Sequence, residues 1–226
     1  EDPDYQTVVF YQVSLLCKLK NFAAADSTVK DLLFSLKEKL NKQTAASEEL
    51  LYNAGNSLAR GGAFSFAIPY LKQSIEISRK LNNLSLLADR LGTLDSVYSK
   101  MNRYEDQVPL LTEIIDLHEQ HHILTDSAYT IRLGMLAKVY YLELGAYGKA
   151  SELAVKIDKF AAKAFDKTNE LYILSRQVLG NLYVKIERID LAEKYYQEAL
   201  ELAPAVWKKD SDEFAGLYKV MADMYY

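Results

Sequence analysis

Apolar and polar residues alternate along this chain with the period of amphipathic α-helices. Val9, Val13, Leu16 and Leu19 form one apolar stripe at three- and four-residue spacing, and a second stripe follows within residues 68–81. Extended to the whole chain, the pattern predicts eleven helices. Their predicted bounds are 5–20, 23–41, 45–60, 64–81, 85–101, 104–121, 127–144, 147–164, 168–186, 189–203 and 212–226.

Three columns of residues recur along the chain at an almost constant period. Large apolar residues at predicted turns follow one another at intervals of 42, 40, 43 and 42 residues, namely Phe22, Phe64, Tyr104, Tyr147 and Ile189. Six positions before each of these lie Leu16, Leu58, Tyr98, Tyr141 and Tyr183. Three positions after them lie Ala25, Ala67, Gln107, Ala150 and Ala192. A sixth copy begins at Tyr218, so the pattern predicts about five and a half stacked helical hairpins.

The predicted turns contain residues that suit tight connections between helices. The tight turns are predicted at Asn21, Gly61-Gly62, Asn102, Gly145 and Glu187-Arg188. Glycine and asparagine tolerate the left-handed backbone conformations that such turns use. Thr44, Thr125 and Ser211 are predicted N-caps. Pro69 and Pro109 each lie five residues after a turn aromatic, which places both near the start of a second helix, where a missing N–H matters least.

The last complete copy closely resembles a tetratricopeptide repeat. Leu179, Gly180, Tyr183, Ile189 and Ala192 occupy signature positions of that family, as do Tyr196, Ala199 and Pro204. The resemblance implies an all-α fold, a right-handed solenoid of helix-turn-helix units that binds other polypeptides. We predict one domain over residues 1–226, with repeats at roughly 6–47, 48–87, 88–130, 131–172 and 173–214 and a partial repeat at 215–226.

The long period of this chain is similar to that of repeats in bacterial signalling and regulatory proteins and in kinesin light chains. We therefore expect a non-enzymatic protein-binding or peptide-binding module, the interaction or sensing segment of such a protein. The alternative is a structural scaffold or self-assembly segment.

In the family that this chain resembles, the first helix of each unit lines a concave face. Carrying those positions over gives candidate ligand-binding residues that are polar or basic: Asn53, Asn56, Arg60, Ser96, Lys100, Asn181 and Lys185. Amide groups could pair with a peptide backbone, and basic groups could bind carboxylates. The family's carboxylate clamp is not reproduced, because only Asn53 fits it and Asp89 and Thr93 stand where basic or amide residues are needed.

Composition narrows the partner class. The chain has 226 residues and a formal net charge of -4, without the basic excess that nucleic-acid binding requires. No apolar run reaches the ~18 residues of a membrane span. Cys17 is the only cysteine, so no internal disulfide forms. We expect a protein or peptide partner, no nucleic-acid binding by this segment, no membrane insertion and no cofactor.

One motif suggests different chemistry. His118, Glu119 and His122 satisfy the H-E-x-x-H pattern of zinc peptidases, in which two histidines bind the metal and the glutamate is the general base. Here the motif lies at the end of a repeat's second helix, where the helix dipole favours the partial positive charge of a histidine cluster. A zinc metallopeptidase is therefore the remote alternative, with His118 and His122 as the weak metal candidates.

The two ends of the sequence prompt further expectations. The chain starts at Glu1 without a methionine, so we expect a segment of a longer protein, cytoplasmic in preference to periplasmic; the periplasm would require a signal peptide that has been removed. Tyr218, Met221, Tyr225 and Tyr226 lie on or beside one helical face near the last residue. We expect this face to be covered by further repeats or by self-association through the C-terminal end near Tyr226.

Overall fold

The computed structural model describes residues 3–225, without the side chains of Pro3, Asp4 and Lys39, and divides into two compact units, Glu1–Asp106 and Gln107–Tyr226. The first unit contains α1 (Pro3–Lys18), α2 (Phe22–Ser35), α3 (Lys37–Asn41), α4 (Ala45–Arg60), α5 (Phe64–Lys80) and α6 (Leu84–Lys100). Helix α7 (Tyr104–His121) begins in the first unit and continues into the second. The second unit also contains α8 (Asp126–Lys138), α9 (Tyr147–Ala164), α10 (Glu170–Lys185), α11 (Ile189–Leu202) and α12 (Asp212–Asp223). No strand is present between residues 3 and 225, which confirms the all-α prediction.

Three segments differ in detail from the predicted helices. The helix predicted at 23–41 is divided at Leu36, whose N–H is shared among the carbonyl groups of Leu32, Leu33 and Phe34. A five-residue π-helical turn, Val139–Glu143, extends α8. The last helix ends at Asp223 and not at 226, and Tyr226 lies outside the described residues.

The three N-cap predictions are confirmed, since each predicted side chain accepts a hydrogen bond from a backbone amide of its helix. The side chain of Thr44 accepts from the Ser47 amide and the Ser47 side chain accepts from the Thr44 amide, forming a capping box. Thr125 and Ser211 accept in the same way from the amides of Ala128 and Phe214.

Left-handed backbone conformations occur at several predicted turns. Gly62, Asn102, Gly145 and Glu187, which stand at the predicted turns, have positive φ. At the turn predicted at Asn21, the preceding Lys20 has the left-handed conformation and the Asn21 side chain caps α2.

The alanine column and a glycine column explain how paired helices approach closely. Ala25, Ala67, Ala150 and Ala192 are each 0% exposed. A Cβ atom on Gly180 of α10 would lie 2.5 Å from Cε1 of Tyr196 on α11. Gly55 of α4 stands in the same register position, and its Cβ would lie 2.8 Å from Cγ of Leu71 on α5. A glycine on the first helix thus accommodates a large side chain of the second helix in both units.

Buried charges add cross-links between helices within each unit. In the first unit the Arg90 guanidinium donates to the Glu48 carboxylate at 2.8 Å and lies over the Tyr52 ring, while Ser74 donates to the same carboxylate at 2.8 Å. Because every member has a partner, these buried polar groups fix the relative positions of α4, α5 and α6.

Between residues 3 and 225, no helix combines the length and the apolar character that would let it cross a bilayer.

Candidate functional site

A groove of about 530 Å³ lies in the second unit, between α10 and α8 with its π-helical turn. These are the first helices of two successive hairpins. The lining is mainly aliphatic and consists of Thr130, Ile131, Gly134, Met135, Lys138, Tyr141, Leu142, Ile157, Leu171, Leu174, Ser175, Val178 and Asn181. An open apolar recess of this volume can hold several side chains of a ligand.

The helical period of α8 places one apolar stripe along this groove. Ile131 and Met135 of α8, with Gly134 between them, and Leu142 of the π-helical turn that extends α8 line the groove. No atom would lie within 4 Å of a Cβ on Gly134, so the glycine adds depth to the groove. Ile131 is 50% exposed and Leu142 is 44% exposed, which leaves apolar surface in contact with solvent.

A smaller recess of about 280 Å³ continues from the groove past the C-terminal half of α10. It is lined by Tyr141, Leu142, Asn181, Val184, Lys185, Tyr196, Val220, Asp223 and Met224. Asn181, Tyr141 and Leu142 line both recesses. The Tyr196 hydroxyl donates to Oδ1 of Asn181 at 2.6 Å, so the amide oxygen is engaged while the amide NH₂ group keeps its donor capacity.

A polar cluster behind α10 holds this wall of the groove in place. The buried Arg176 guanidinium pairs with Asp158 of α9, and the Tyr195 hydroxyl of α11 donates to the other oxygen of that carboxylate at 3.0 Å. The Tyr172 hydroxyl donates to Glu198 at 2.8 Å. Burial is the main cause that raises the pKa values of Tyr172 and Tyr195, and the neighbouring carboxylates raise them further. Both phenols therefore remain neutral donors.

The charged residues that line the two recesses are mainly basic. Lys138 lies in the groove and Lys185 in the smaller recess, and both residues are exposed. Asp223 of α12 is the acidic residue that lines the smaller recess. Exposed ammonium groups beside an apolar recess favour a ligand that combines apolar side chains with carboxylates.

The structure brings some of the predicted ligand-binding residues together. Asn181 and Lys185 line the same recess. In the first unit, Asn53 and Asn56 are half-buried on α4, and Arg60 is exposed in its last turn. On α6, Ser96 is exposed and donates to the carbonyl group of Gly92 at 2.9 Å, and Lys100 is exposed in the last turn. Their predicted role in binding stays a prediction.

The aliphatic lining of the groove was missed by the sequence analysis. Leu171, Leu174 and Val178 of α10 face Ile131 and Met135 of α8 across the groove. The available signal was an apolar stripe on these first helices in addition to the repeating columns. This stripe did not lead to a predicted groove, because an apolar residue on a helix is most simply assigned to the core.

The histidine motif forms a structural cluster at the end of α7. Nδ1 of the buried His118 accepts from the Leu124 amide at 3.1 Å, and its ring stacks on Tyr129 with centroids 4.3 Å apart. Burial, and then the charge of His122, lowers the pKa of His118, so the ring is neutral near pH 7. A recess of about 540 Å³ borders this cluster.

Glu119 has partners that differ from those of a general base. It pairs with Lys156 of α9 and accepts from the Tyr129 hydroxyl at 2.6 Å. Burial raises the pKa of this carboxyl, but the hydrogen bonds from Lys156 and Tyr129 outweigh it and leave the pKa below its ordinary value. Within the described part of the chain, no group of three histidine, cysteine, aspartate or glutamate residues suits a metal ion.

Comparison with known proteins agrees with this architecture. The tetratricopeptide-repeat family matches residues 175–206, which include most of α10 and all of α11. No curated protein matches the sequence. Within residues 175–206 the chain therefore contains a tetratricopeptide repeat, as the resemblance predicted.

Solved structures with similar folds are tetratricopeptide-repeat proteins of low sequence identity. Nearly identical TPR-like repeats from Podosopora anserina, assigned to a kinesin light chain, have a TM-score of 0.68 at 14% identity, covering 89% of this chain and 96% of that one. The apo form of RapI has a TM-score of 0.70 at 14% identity, covering 96% and 58%. YrrB, titled a TPR protein with an unusual peptide-binding site, has a TM-score of 0.55 at 14% identity, covering 93% and 90%. These likenesses show that the fold is of the TPR solenoid type.

Proposed function

We propose that this chain is a non-enzymatic protein-interaction module that binds a peptide segment of another protein in the groove between α8 and α10. The observation that carries the proposal is the apolar groove itself. Ile131 of α8 is 50% exposed there and Leu142 of the π-helical turn is 44% exposed. Concave, partly exposed apolar surface of this kind is typical of an interaction site.

The chemistry of the groove specifies the kind of peptide it fits. The aliphatic walls favour leucine-sized or aromatic side chains, and Gly134 provides room for one of them. The free NH₂ group of Asn181 can donate to a peptide carbonyl group. Lys138 and Lys185 favour acidic residues next to the apolar ones. We propose a peptide with apolar anchors and at least one neighbouring carboxylate.

For the cellular role, we propose the interaction or sensing segment of a bacterial signalling or regulatory protein. The long repeat period supports this role, and YrrB, a similar fold whose title describes a peptide-binding site, supports a peptide as the ligand.

The test is selection of binding peptides from a random display library on the purified chain, followed by affinity measurement with synthetic copies. Gly134→Leu fills the groove and is expected to weaken binding at least about tenfold. Gly148→Leu is the matched control, because Gly148 on α9 also has no atom within 4 Å of a Cβ but does not line the groove.

Each result has a defined reading. Enrichment of apolar and acidic residues, with binding lost only in Gly134→Leu, supports the proposal. Peptides that bind Gly134→Leu as tightly as the unaltered chain would exclude this groove. Loss of binding in Asn56→Ala/Lys100→Ala would instead assign recognition to the candidate ligand-binding residues of the first unit.

The non-enzymatic part of the proposal has its own measurement. The partners of His118 and Glu119 favour a structural role for the H-E-x-x-H motif. Elemental analysis of the purified chain is expected to detect no stoichiometric zinc. One zinc ion per chain, lost in His122→Ala, would restore the peptidase alternative.

A second candidate function is self-assembly through α12. Tyr218, Met221 and Tyr225 stand 42 positions after Arg176, Leu179 and Tyr183, which are buried on α10. Tyr218 on α12 is instead 56% exposed, and Tyr225, two residues after the end of α12, is 58% exposed. Sedimentation of Tyr218→Glu beside the unaltered chain tests it, since an unchanged oligomeric state would reject α12 as the contact.

A further inference from the structure

Helix α1 has apolar residues on two opposite faces, and only one of them is covered. Val9, Val13 and Cys17 are 6%, 0% and 2% exposed and form the covered face. Cys17 packs closely on α4, because a Cβ on Gly61 would lie 2.6 Å from its Sγ atom. This face attaches α1 to the first unit.

The other face of α1, together with Leu19 directly after the helix, carries five large apolar side chains that are more than half exposed. These are Tyr5 at 57%, Val8 at 62%, Tyr11 at 76%, Leu15 at 51% and Leu19 at 70%. Their spacing of three and four residues keeps them on one side of the helix. We refer to these five residues as the outer stripe.

The register of the repeats indicates that the outer stripe is a helix-packing surface. Tyr5 and Val8 stand 42 positions before Ser47 and Leu50 on α4, which is one repeat period. Ser47 is 0% exposed and Leu50 is 5% exposed. These two positions are buried on α4 and open on α1, so this part of the outer stripe has the pattern of a surface that another helix covers.

The outer stripe is nearly symmetric about its own centre. Tyr5 and Leu19 each lie seven positions from Gln12, and Val8 and Leu15 lie four before it and three after it. A second α1 that runs antiparallel would therefore place apolar residues opposite apolar residues along the whole stripe. A two-fold symmetric interface requires self-complementarity of this kind.

The charges along α1 favour the same antiparallel arrangement. Asp4 lies in the first turn of the helix sequence, and Lys18 and Lys20 lie at its other end. An antiparallel pair brings the acidic end of one helix beside the basic end of the other and opposes the two helix dipoles. A parallel pair would bring like charges together.

We propose that the outer stripe is the interface of a homodimer, in which α1 of one copy packs antiparallel against α1 of a second copy. The proposal concerns the first unit and is independent of the peptide groove in the second. Each copy covers the exposed tyrosine, valine and leucine side chains of the other. The dimer presents two copies of the chain on one two-fold axis.

Sedimentation equilibrium of the 226-residue chain over a wide concentration range tests the dimer. The unaltered chain is expected to dimerise reversibly. Val8→Glu/Leu15→Glu is expected to raise the dissociation constant at least about tenfold, because it places four carboxylates in one apolar interface. Phe34→Glu is the matched control, since Phe34 on α2 is 73% exposed and lies outside the stripe.

Charge reversal tests the antiparallel direction. Asp4→Lys and Lys20→Glu are each expected to weaken the dimer, and the two changes together in one chain are expected to restore it. In a parallel pair each of these residues would face its own copy. A single charge reversal would then leave like charges facing each other, so the dissociation constant would not change. Circular dichroism of every variant separates loss of the interface from loss of folding.

Three outcomes would overturn the proposal. The unaltered chain could remain monomeric at all concentrations, or its dimer could persist in Val8→Glu/Leu15→Glu. A dimer that Tyr218→Glu abolishes and the α1 variants leave intact would assign self-association to α12 instead.

Discussion

The Tyr196 hydroxyl donates a 2.6 Å hydrogen bond to the side-chain oxygen of Asn181, and this bond joins the core of the last complete hairpin to the floor of the groove. Tyr196 is 1% exposed and lies between α10 and α11, whereas Asn181 lines both recesses. Burial raises the pKa of Tyr196, so the phenol remains a donor throughout the neutral range. A core residue thus fixes the orientation of a surface amide.

Tyr196→Phe is expected to lower the free energy of unfolding by about 1 kcal/mol, because it removes this hydrogen bond and leaves the ring in place. It should also weaken binding of any peptide selected on the groove, since Asn181 loses its orientation. Urea unfolding and peptide titration check the two effects. Tyr225→Phe is the control, because the exposed Tyr225 hydroxyl bonds to Glu193 away from Asn181.

Two glycines in the interior of first helices are expected to respond oppositely to alanine. Gly180→Ala should destabilise the protein by about 1–3 kcal/mol, because the new methyl group would overlap the Tyr196 ring. Gly134→Ala should stabilise it by up to about 1 kcal/mol, since the methyl group meets open space and alanine favours the helix. Denaturant midpoints of both variants measure the difference, and equal shifts would contradict this account of the glycine column.

Removal of the buried carboxylate in the first unit should be costly. Glu48→Ala leaves the buried Arg90 guanidinium without the carboxylate it bonds at 2.8 Å and is expected to cost about 3–5 kcal/mol. Glu76→Ala removes a partner of Arg79 from an exposed pair on α5 and should cost less than about 1 kcal/mol. A similar loss in both variants, measured by chemical denaturation, would argue against a bracing role for the buried pair.

Protonation of His118 should make stability fall in mild acid. The folded-state pKa of His118 lies below its ordinary value of 6.5, so the unfolded chain binds more protons as the pH falls through that range. Its contribution to stability is therefore complete above pH 6.5 and is lost as the pH falls toward the folded pKa. His122 faces this ring and disfavours its protonation, while Glu119 and Asp126 favour it.

The measurement is the free energy of unfolding against pH for the unaltered chain and for His118→Gln. Glutamine can still accept a hydrogen bond but does not titrate, so the unaltered chain should lose stability relative to the variant as the pH falls. His121→Gln is the control, because His121 is exposed at the same helix end. Parallel pH curves for the unaltered chain and His118→Gln would reject the assignment.

The turn at Glu187 offers a stabilising substitution. Glu187 has a φ of 60°, a left-handed conformation that disfavours residues with a Cβ atom, so Glu187→Gly is expected to gain up to about 1 kcal/mol. Gly145 also has a φ of 60°, and Gly145→Ala should have the opposite sign. Thermal unfolding of the two variants provides the comparison.

The sequence predicted most of the local structure and little of the groove. The caps at Thr44, Thr125 and Ser211 and the alanine column follow from helical period and short-range hydrogen bonds, and they were confirmed. The break at Leu36 and the end of the last helix at Asp223 differ from the predicted bounds. The groove depends on which residues of α8 and α10 remain uncovered, although these helices are some forty residues apart in the sequence. Side-chain pattern alone does not separate an apolar residue in the core from one at the edge of a recess.

The candidate ligand-binding residues show the same division between what the sequence predicted and what depends on helix packing. They were taken from the resemblance by position, and Asn181 and Lys185 do lie in one recess. The hydroxyl that orients Asn181 comes from Tyr196 on the next helix. The candidate ligand-binding residues were all taken from first helices and so did not include it. Register identified where a side chain stands on its helix, whereas its partners depended on the packing of neighbouring helices.

The π-helical turn at Val139–Glu143 has a consequence for how this kind of protein tolerates changes in length. The turn closes with the Leu144 amide bonded to the carbonyl group of Val139 at 3.1 Å, so it contains one residue more than an α-helical turn. It lies in the stretch from Tyr104 to Tyr147, which has 43 residues where the flanking intervals have 40 and 42. An inserted codon can thus be absorbed inside a helix, without a longer loop and without loss of register in the hairpins that follow.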